Sequence, residues 1–331
     1  MHVTCGHRRT IMDAIKMGIG FGLWQQGMPA AHTLFEYIDK AEAWGIDSVW
    51  LSDHMIGERA EVSIIPMMAA IAARTQRLKF GPSVLMMPLR HPIAVAREIA
   101  TLDYLSGGRI IIAVGLGAEG KEADAFKVPR KQRGAMTDEG VAILRKLWAG
   151  PHVTHQGEHY QFEDVTLTPR PNKKIDIWVG GRSDPALRRV ARIGDGWFAS
   201  FVTPEEYAEG CAKIVEFAAL YDRAEDDIEA GSIVFCHVDP DGAKARRDFM
   251  NFFQGNARRS PEKMLERSAI GTPQECREIL QRFVEHGLTK FALWPACHPS
   301  QLLHQLAFYA EEIIPYFEER ETPVVSSTST L

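Results

Sequence analysis

Ile110-Ile111-Ile112-Ala113-Val114 is a continuous apolar run that lies between two glycine turns, Gly107-Gly108 before it and Gly115-Leu116-Gly117 after it. A short apolar run between turn residues is typical of a β-strand. Because polar residues do not alternate with apolar ones, we expect this strand to be buried on both faces, as in parallel sheets covered by helices. The run therefore predicts an α/β fold.

The same pattern repeats along the chain, with each apolar run followed by an amphipathic stretch. Strands are predicted over residues 16–24, 48–51, 78–87, 109–114, 175–179, 196–201, 228–237 and 290–294. Helices are predicted over residues 30–44, 62–75, 94–105, 136–149, 186–193, 205–221, 273–285 and 301–317. Eight alternating strand–helix units favour a closed (β/α)8 barrel, or TIM barrel, with an open doubly wound sheet as the alternative.

Two connections are longer than normal loops. Residues 151–174 alternate aromatic and polar side chains near Gly157, which predicts a small hairpin. Residues 239–270 form an insertion after the seventh strand, and their phenylalanines predict a helix that covers a site as a candidate lid. The domain is predicted over residues 16–320, with a flexible arm over residues 1–15 and a disordered tail, rich in Ser and Thr, over residues 321–331.

The composition excludes several classes of protein. The 331 residues are 45% hydrophobic and 24% charged, with a net charge of −5 and no basic face for a nucleic acid. No apolar run is long enough for a membrane span, and the charged first residues do not resemble a secretory signal. Five scattered cysteines indicate reduced thiols, and we expect a cytoplasmic protein.

The active site of such a barrel is built by the loops at the carboxyl ends of the strands. Asp53 and His54 follow the second strand directly. A histidine beside a carboxylate is suited to proton transfer, because its pKa lies near neutrality. We therefore predict Asp53 and His54 as catalytic residues; the alternative is a pair that only closes the turn.

Glycine-rich turns follow the fourth and fifth strands. Gly180, Gly181, Arg182 and Ser183 lead into a helix, whose free amides would attract a phosphate, while Asp184 is expected to cap that helix. Gly115 and Gly117 would let a planar ring approach the backbone. Ordinary tight turns are the alternative at both places.

The remaining candidates line a substantially apolar substrate pocket. Arg90 and His91 either position a substrate or tie down their loop, and the large apolar side chains either line the pocket or belong to the core. The twelve histidines include no His-x-His pair at a strand end, so we predict no metal site, and a metal-dependent hydrolase is a minor alternative. The pocket candidates are Trp24, Met86, Arg90, His91, Trp197 and Trp294.

Seven segments together resemble the bacterial luciferase-like monooxygenase superfamily, which includes flavin-dependent monooxygenases and oxidoreductases of the deazaflavin coenzyme F420. The resemblance extends from about residue 16 to residue 317. The segments read GIDSVWLSDH at 45–54, PLRHP at 88–92, ATLDYLSGGR at 100–109, VGLG at 114–117, IWVGGRS at 177–183, GDGW at 194–197 and IGTP at 270–273.

The resemblance implies a (β/α)8 barrel, usually a homodimer, with the cofactor ring at the mouth. It implies that the turn at 180–183 binds the cofactor phosphate and that Asp53 and His54 serve the cofactor and proton transfer. It places Ser83 and Val84 near the ring, where some members have a non-prolyl cis peptide. One departure disfavours sugar-phosphate oxidation: certain deazaflavin members have a glutamate directly after the Gly-x-Gly turn, where this chain has Ala118 followed by Glu119.

Three functions follow from these observations. The first is a monooxygenase that uses O2 and reduced FMN, supplied by a separate flavin reductase, on a small and largely apolar organic substrate. The second is hydride transfer with coenzyme F420 and without O2. The third is a non-catalytic flavin-binding protein, which the Asp53-His54 pair disfavours. The sequence favours the first, because it is the broader activity of the superfamily.

Overall fold

The computed structural model describes residues 15–24, 26–57, 60–117, 121–254 and 260–318. Parallel strands close into a barrel that confirms the predicted (β/α)8 fold. The strands are β1 (Lys16–Phe21), β2 (Ser48–Leu51), β3 (Lys79–Met86), β4 (Ile112–Gly115), β5 (Val153–Gln156), β6 (Gln161–Val165), β7 (Ile177–Gly180), β8 (Gly196–Ser200), β9 (Glu229–Val238), β10 (Ser268–Gly271) and β11 (Lys290–Pro295). The barrel order is β1-β2-β3-β4-β7-β8-β9-β11, and β11 pairs back with β1.

Each predicted helix is present, with its ends shifted by no more than three residues. Proline in the first turn and capping boxes mark several starts, such as Thr203 with Glu206 and Thr272 with Glu275. A π turn at Tyr309–Ile313 joins the last two helices. The helices are α1 (Ala31–Ala43), α2 (Ile64–Arg74), α3 (Pro92–Ser106), α4 (Lys121–Ala125), α5 (Arg133–Ala149), α6 (Asp184–Ile193), α7 (Pro204–Ala219), α8 (Gly242–Phe253), α9 (Pro261–Leu265), α10 (Pro273–Glu285), α11 (Leu302–Phe308) and α12 (Ile314–Glu318).

The insertion after the seventh barrel strand contains a strand that the sequence did not predict. β8 pairs with the first half of β9, up to Ile233, and β10 pairs with β9 from Phe235 to Val238. The other edge of β9 is taken by β11. β10 therefore continues along the edge of β9 where β8 stops, and it returns the chain to the barrel after α8 and α9.

The second long connection forms the predicted hairpin, in which β5 pairs antiparallel with β6. Apart from Ile15, the predicted arm over residues 1–15 and the tail over residues 321–331 lie outside the described residues. Among the helices that the structure describes, none combines the length and the apolar character needed to cross a bilayer.

Aromatic side chains fill the barrel below its mouth. Trp50 of β2 stacks on Phe198 of β8 with ring centroids 4.3 Å apart, and Trp178 of β7 lies 6.0 Å from Phe198. The side chain of Trp294 lies over Gly20, where an added Cβ would be 2.2 Å from the indole. Glycine on β1 therefore makes room for the large rings, and the filled interior confines any ligand to the carboxyl-terminal mouth.

Candidate active site

Asp53 forms a two-point ion pair with Arg90 just beyond β2. Its carboxylate accepts from Nη1 at 2.6 Å and from Nη2 at 2.8 Å, and also from the amide of Met86 at 2.9 Å. The side chains of Asp53 and Arg90 are only 3% and 12% exposed. Parallel contacts of this kind fix both side chains. Arg90 thus ties the loop after β3 to the loop after β2, one of the two alternatives that the sequence left open.

His54 does not pair with Asp53, although the two residues are neighbours in the sequence. Its Nδ1 lies 3.2 Å from Oε2 of Glu122, at the start of α4. The other oxygen of Glu122 accepts from the amides of Met55 and Ile56. The Asp53-His54 dyad expected from the sequence is therefore corrected to two separate pairs, Asp53 with Arg90 and His54 with Glu122. Glu122 was not among the predicted site residues, because its sequence signal is only an acidic side chain close behind the fourth strand.

Val84 lies between two of the predicted cofactor-binding glycines. A Cβ added to Gly115 would be 2.5 Å from one Val84 methyl, and a Cβ added to Gly180 would be 2.4 Å from the other. The Ser83–Val84 peptide bond is cis, as in the family members to which the resemblance pointed. Gly117 has φ +73° and packs against Met86. The structure therefore brings Ser83, Val84, Gly115 and Gly180 together at the mouth.

Two buried hydroxyls at the mouth have no hydrogen-bond partner within the described structure, those of Ser52 and Ser83. Both residues are at least nine-tenths buried. The Ser52 hydroxyl fits beside Gly22, where an added Cβ would be 2.3 Å from Oγ. An unpaired buried hydroxyl is costly in the free protein, so these two groups are suited to donating to a ligand.

The turn after β7 presents the start of α6 to a cleft of about 620 Å³. Ser183 is the N-cap residue of α6, and its side chain makes no capping hydrogen bond. Arg182 is exposed and donates to the carbonyl of Phe201 at 2.7 Å. Asp184 does not cap the helix, which corrects the sequence interpretation; it lies at the first helical position and binds Lys213 at 2.9 Å.

Trp197 supports this turn from the outer side of the barrel. Its Nε1 donates to the carbonyl of Gly181 at 2.7 Å, and its ring stacks on Tyr207 of α7 at 5.4 Å. It borders the cleft beside Arg182 and is 1% exposed. The prediction that Trp197 lines the substrate pocket is therefore revised: Trp197 lies between β8 and α7, while its neighbour Phe198 points into the barrel.

The other predicted pocket residues are largely buried in the free protein. Trp24 is 4% exposed and packs edge-on against Phe21, in the layer between the barrel and the helices. Met86 is 2% exposed, and Trp294 is 1% exposed and donates to the carbonyl of Gly22 at 3.2 Å. His91 is exposed and is the N-cap residue of α3, with its ring edge-on to Tyr160 of the hairpin. Of these residues, Trp294 is the one inside the barrel.

Helix α8 covers one side of the mouth with its apolar face. Phe249, Phe252 and Phe253 are buried, and the ring of Phe253 lies 5.2 Å from that of Phe235 in β9. These rings therefore pack as core between the insertion and the barrel. Whether the insertion moves as a lid stays a prediction.

His237 lies near the carboxyl end of β9, where the sequence places it after the seventh predicted strand. It is fully buried, neither ring nitrogen has a hydrogen-bond partner among the described residues, and Nε2 lies 3.5 Å from Oδ2 of Asp248 in α8. Burial lowers the pKa of His237 below its ordinary value, although Asp248 opposes this shift. The described residues contain no group of three His, Cys, Asp or Glu side chains placed to hold a metal ion.

Comparisons with known proteins place this arrangement in a family. The family model described as luciferase-like monooxygenase matches residues 15–290. The chain is 32% identical over 328 residues to an F420-dependent glucose-6-phosphate dehydrogenase from Beutenbergia cavernae, covering 89% of this chain and 96% of the relative. It is 30% identical over 311 residues to a protein of the same name from Microbacterium testaceum, covering 85% and 91%.

A solved structure has the same fold at lower sequence identity. An F420-dependent secondary alcohol dehydrogenase in complex with an F420-acetone adduct superposes with a TM-score of 0.81 at 21% identity, covering 91% of this chain and 98% of that one. The barrel, the cis peptide at Ser83–Val84 and the match over residues 15–290 agree with one another. The chain belongs to the luciferase-like monooxygenase family.

Proposed function

We propose that this protein is an F420-dependent oxidoreductase that transfers a hydride between the deazaflavin and a small organic substrate, an alcohol or the matching carbonyl compound. The observation that carries the proposal is the His54–Glu122 pair at the mouth of the barrel. Oxidation of an alcohol releases a hydroxyl proton as well as a hydride, so it needs a base at the mouth. The names of the relatives at 30% and 32% identity support the deazaflavin over FMN.

The mouth fits a ring with a phosphorylated side chain. Gly115 and Gly180 make room for the methyl groups of Val84, which would support one face of a flat ring. The Ser52 and Ser83 hydroxyls, which have no hydrogen-bond partner among the described residues, would donate to that ring. At the start of α6, Pro185 has no amide hydrogen and Ala186 donates to the carbonyl of Ser183 at 2.8 Å, so the backbone amides of residues 181–184 are the ones that would meet a phosphate. Ser83, Val84, Gly115 and Gly180 would hold the ring, and residues 181–183 would hold the phosphate.

When bound, the deazaflavin supplies the hydride acceptor or donor. His54 takes the hydroxyl proton of the substrate in the oxidative direction and returns it in the reductive one. The Asp53–Arg90 pair keeps the loops after β2 and β3 in register below this histidine. The phenylalanines of α8 exclude water from one side of the mouth, which strengthens the electrostatic interactions there.

Titration of the purified protein with F420 and with FMN, followed by fluorescence, tests the proposal. We expect F420 to bind and, with a panel of alcohols that includes secondary alcohols and glucose 6-phosphate, to be reduced without oxygen uptake. Oxygen consumption that requires reduced FMN and a flavin reductase would overturn the proposal in favour of a monooxygenase. Binding of either cofactor without turnover on any substrate would favour a non-catalytic flavin-binding protein.

The resemblance also leads us to propose a homodimer. Tyr104 and Leu105 at the end of α3 are large apolar residues that are 69% and 58% exposed in the single chain. Light scattering would give the mass in solution, and a mass of one chain would contradict this proposal.

A further inference from the structure

Glu122 joins the loop after β2 to the helix that follows β4. Its side chain is 11% exposed, and its two oxygens divide their contacts between the imidazole of His54 and the backbone amides of Met55 and Ile56. We infer that Glu122 is a positioning residue that holds His54 as the Nδ1–H tautomer and thereby directs the Nε2 lone pair toward proton transfer. The use of that lone pair rests on the proposed function, whereas the tautomer does not.

The tautomer follows from the chemistry of the contact. An ionised carboxylate has no proton to donate, so the ring nitrogen that faces Glu122 must carry the hydrogen. In neutral imidazole one nitrogen is a donor and the other is an acceptor. With Nδ1 as the donor, Nε2 is left with the lone pair that accepts a proton.

Asp53, the neighbour of His54 in the sequence, makes different contacts. Both oxygens of Asp53 are occupied by Arg90, and one of them also accepts from the amide of Met86. Glu122 contacts the imidazole from a segment 68 residues away in the sequence. It also accepts from the amides of Met55 and Ile56, so a single side chain contacts both the imidazole and the backbone that follows it.

The chain contains a second arrangement of this kind outside the barrel mouth. Glu139 contacts Nε2 of His155 at 3.0 Å and accepts from the amides of His159 and Tyr160. Burial alone would raise the pKa of Glu139, but the hydrogen bonds from His155 and from the two amides hold this pKa below its ordinary value. A glutamate that receives an imidazole and two consecutive amides thus stays ionised there.

Replacing Glu122 by glutamine tests the inference, because it puts a hydrogen-bond donor where the carboxylate accepts from Nδ1 of His54. In Glu122→Gln the amide oxygen can still accept from Met55 and Ile56, while the amide NH2 now faces Nδ1 and donates to it. We expect the wild-type protein to show His54 protonated at Nδ1 and the variant to show it protonated at Nε2, by nitrogen-15 NMR of histidine-labelled protein. Loss of the signal in His54→Gln assigns it among the twelve histidines.

Turnover gives a second readout. We expect Glu122→Gln to lower kcat with F420 by at least about 100-fold, because an inverted tautomer cannot accept the proton. KM and the F420 dissociation constant should change by less than about threefold, since only turnover depends on that lone pair. Asp124→Asn is the matched control, because it removes the same charge from an exposed position on α4 and should leave both readouts unchanged.

The results for Glu122 can be distinguished from a failure of the proposed function. A wild-type His54 protonated at Nε2 would overturn it, even if the Gln variant does not fold. A variant that keeps the Nδ1–H tautomer, or an equal loss of kcat in Asp124→Asn, would also overturn it. Because the NMR measurement needs no coenzyme, the inverted tautomer would support the inference even if F420 does not bind.

Discussion

The guanidinium of Arg90 meets the carboxylate of Asp53 end-on, with Nη1 and Nη2 donating at 2.6 and 2.8 Å, and both groups are largely shielded from water. The two residues come from the loops after neighbouring strands, β3 and β2. Each loop also carries a predicted site residue, so the ion pair aligns two parts of the mouth. Breaking it should affect the whole site rather than one contact.

Arg90→Ala should lower the free energy of unfolding by about 3–5 kcal/mol, because it leaves the Asp53 carboxylate buried without its partner. Urea denaturation measures this loss. Arg74→Ala is the matched control, since Arg74 pairs with Asp39 on the surface with both side chains at least 40% exposed, and exposed pairs contribute about 0–1 kcal/mol. Equal losses in the two variants would contradict the structural role of Arg90.

His237 should make the protein less stable in weak acid. Its pKa is lowered in the folded state by burial, with Lys244 adding to the shift and Asp248 and Asp239 opposing it. The unfolded chain therefore binds the proton more readily, and the stability that is present above the ordinary pKa of 6.5 is lost as the pH falls below it. Denaturation midpoints between about pH 7 and pH 5 should fall more steeply for the wild type than for His237→Gln.

The exposed His304 serves as the control for this experiment. His304→Gln should keep the wild-type slope, because its side chain is not taken out of water. Parallel slopes for the wild type and His237→Gln would show that the buried imidazole does not drive the acid sensitivity.

Gly180→Ala should destabilise the protein by about 1–3 kcal/mol and weaken F420 binding, because the new methyl would overlap Val84. Adding Val84→Ala should restore the stability, since the clash is with a methyl group of that side chain. Gly150→Ala is the control, because an added Cβ there meets no atom of the described residues within 4 Å. Thermal unfolding and fluorescence titration measure the two effects, and a double variant as unstable as Gly180→Ala would contradict this explanation.

Ser83→Ala should separate stability from binding. Its hydroxyl is buried with no hydrogen-bond partner in the part of the chain that the structure describes, so removing it should leave the free protein unchanged or up to about 1 kcal/mol more stable. F420 affinity should fall by roughly tenfold if that hydroxyl donates to the ring. Ser106→Ala should lower the stability and leave the F420 affinity unchanged. Its hydroxyl donates to the carbonyl of Asp103 and accepts from the amide of Arg109, and both hydrogen bonds would be lost. A loss of stability without a loss of affinity in Ser83→Ala would rule out this role.

The barrel could be predicted because its signal is local. Each strand is a short apolar run between turn residues, and each helix has its own periodicity and start signals, so no long-range contact was needed. β10 was not predicted, because its signal is not local. Ser268–Gly271 is only four residues long, and its pairing with β9 depends on a fold that brings distant segments together.

The site was predicted less well than the fold, for two physical reasons. Strands buried on both faces do not reveal which residues point inward, so Trp197 was assigned to the pocket although Phe198 is the one inside the barrel. The side chains of consecutive residues at a strand end can also point to different partners. Asp53 and His54 turn to different partners, Arg90 and Glu122, neither of which is adjacent in the chain.

The pairing of β10 with β9 separates the insertion, residues 239–270, from the strand pairs that close the barrel. The chain leaves from the end of β9 and returns on the edge of that same strand, so the hydrogen bonds that close the barrel lie outside the segment between them. We therefore expect that residues 242–265 can change in length without altering the strand order, provided that the apolar contacts of Phe249, Phe252 and Phe253 with the barrel are kept. If the proposed function holds, a change in this segment would alter one wall of the mouth and leave His54 and Glu122, on the loops after β2 and β4, in place.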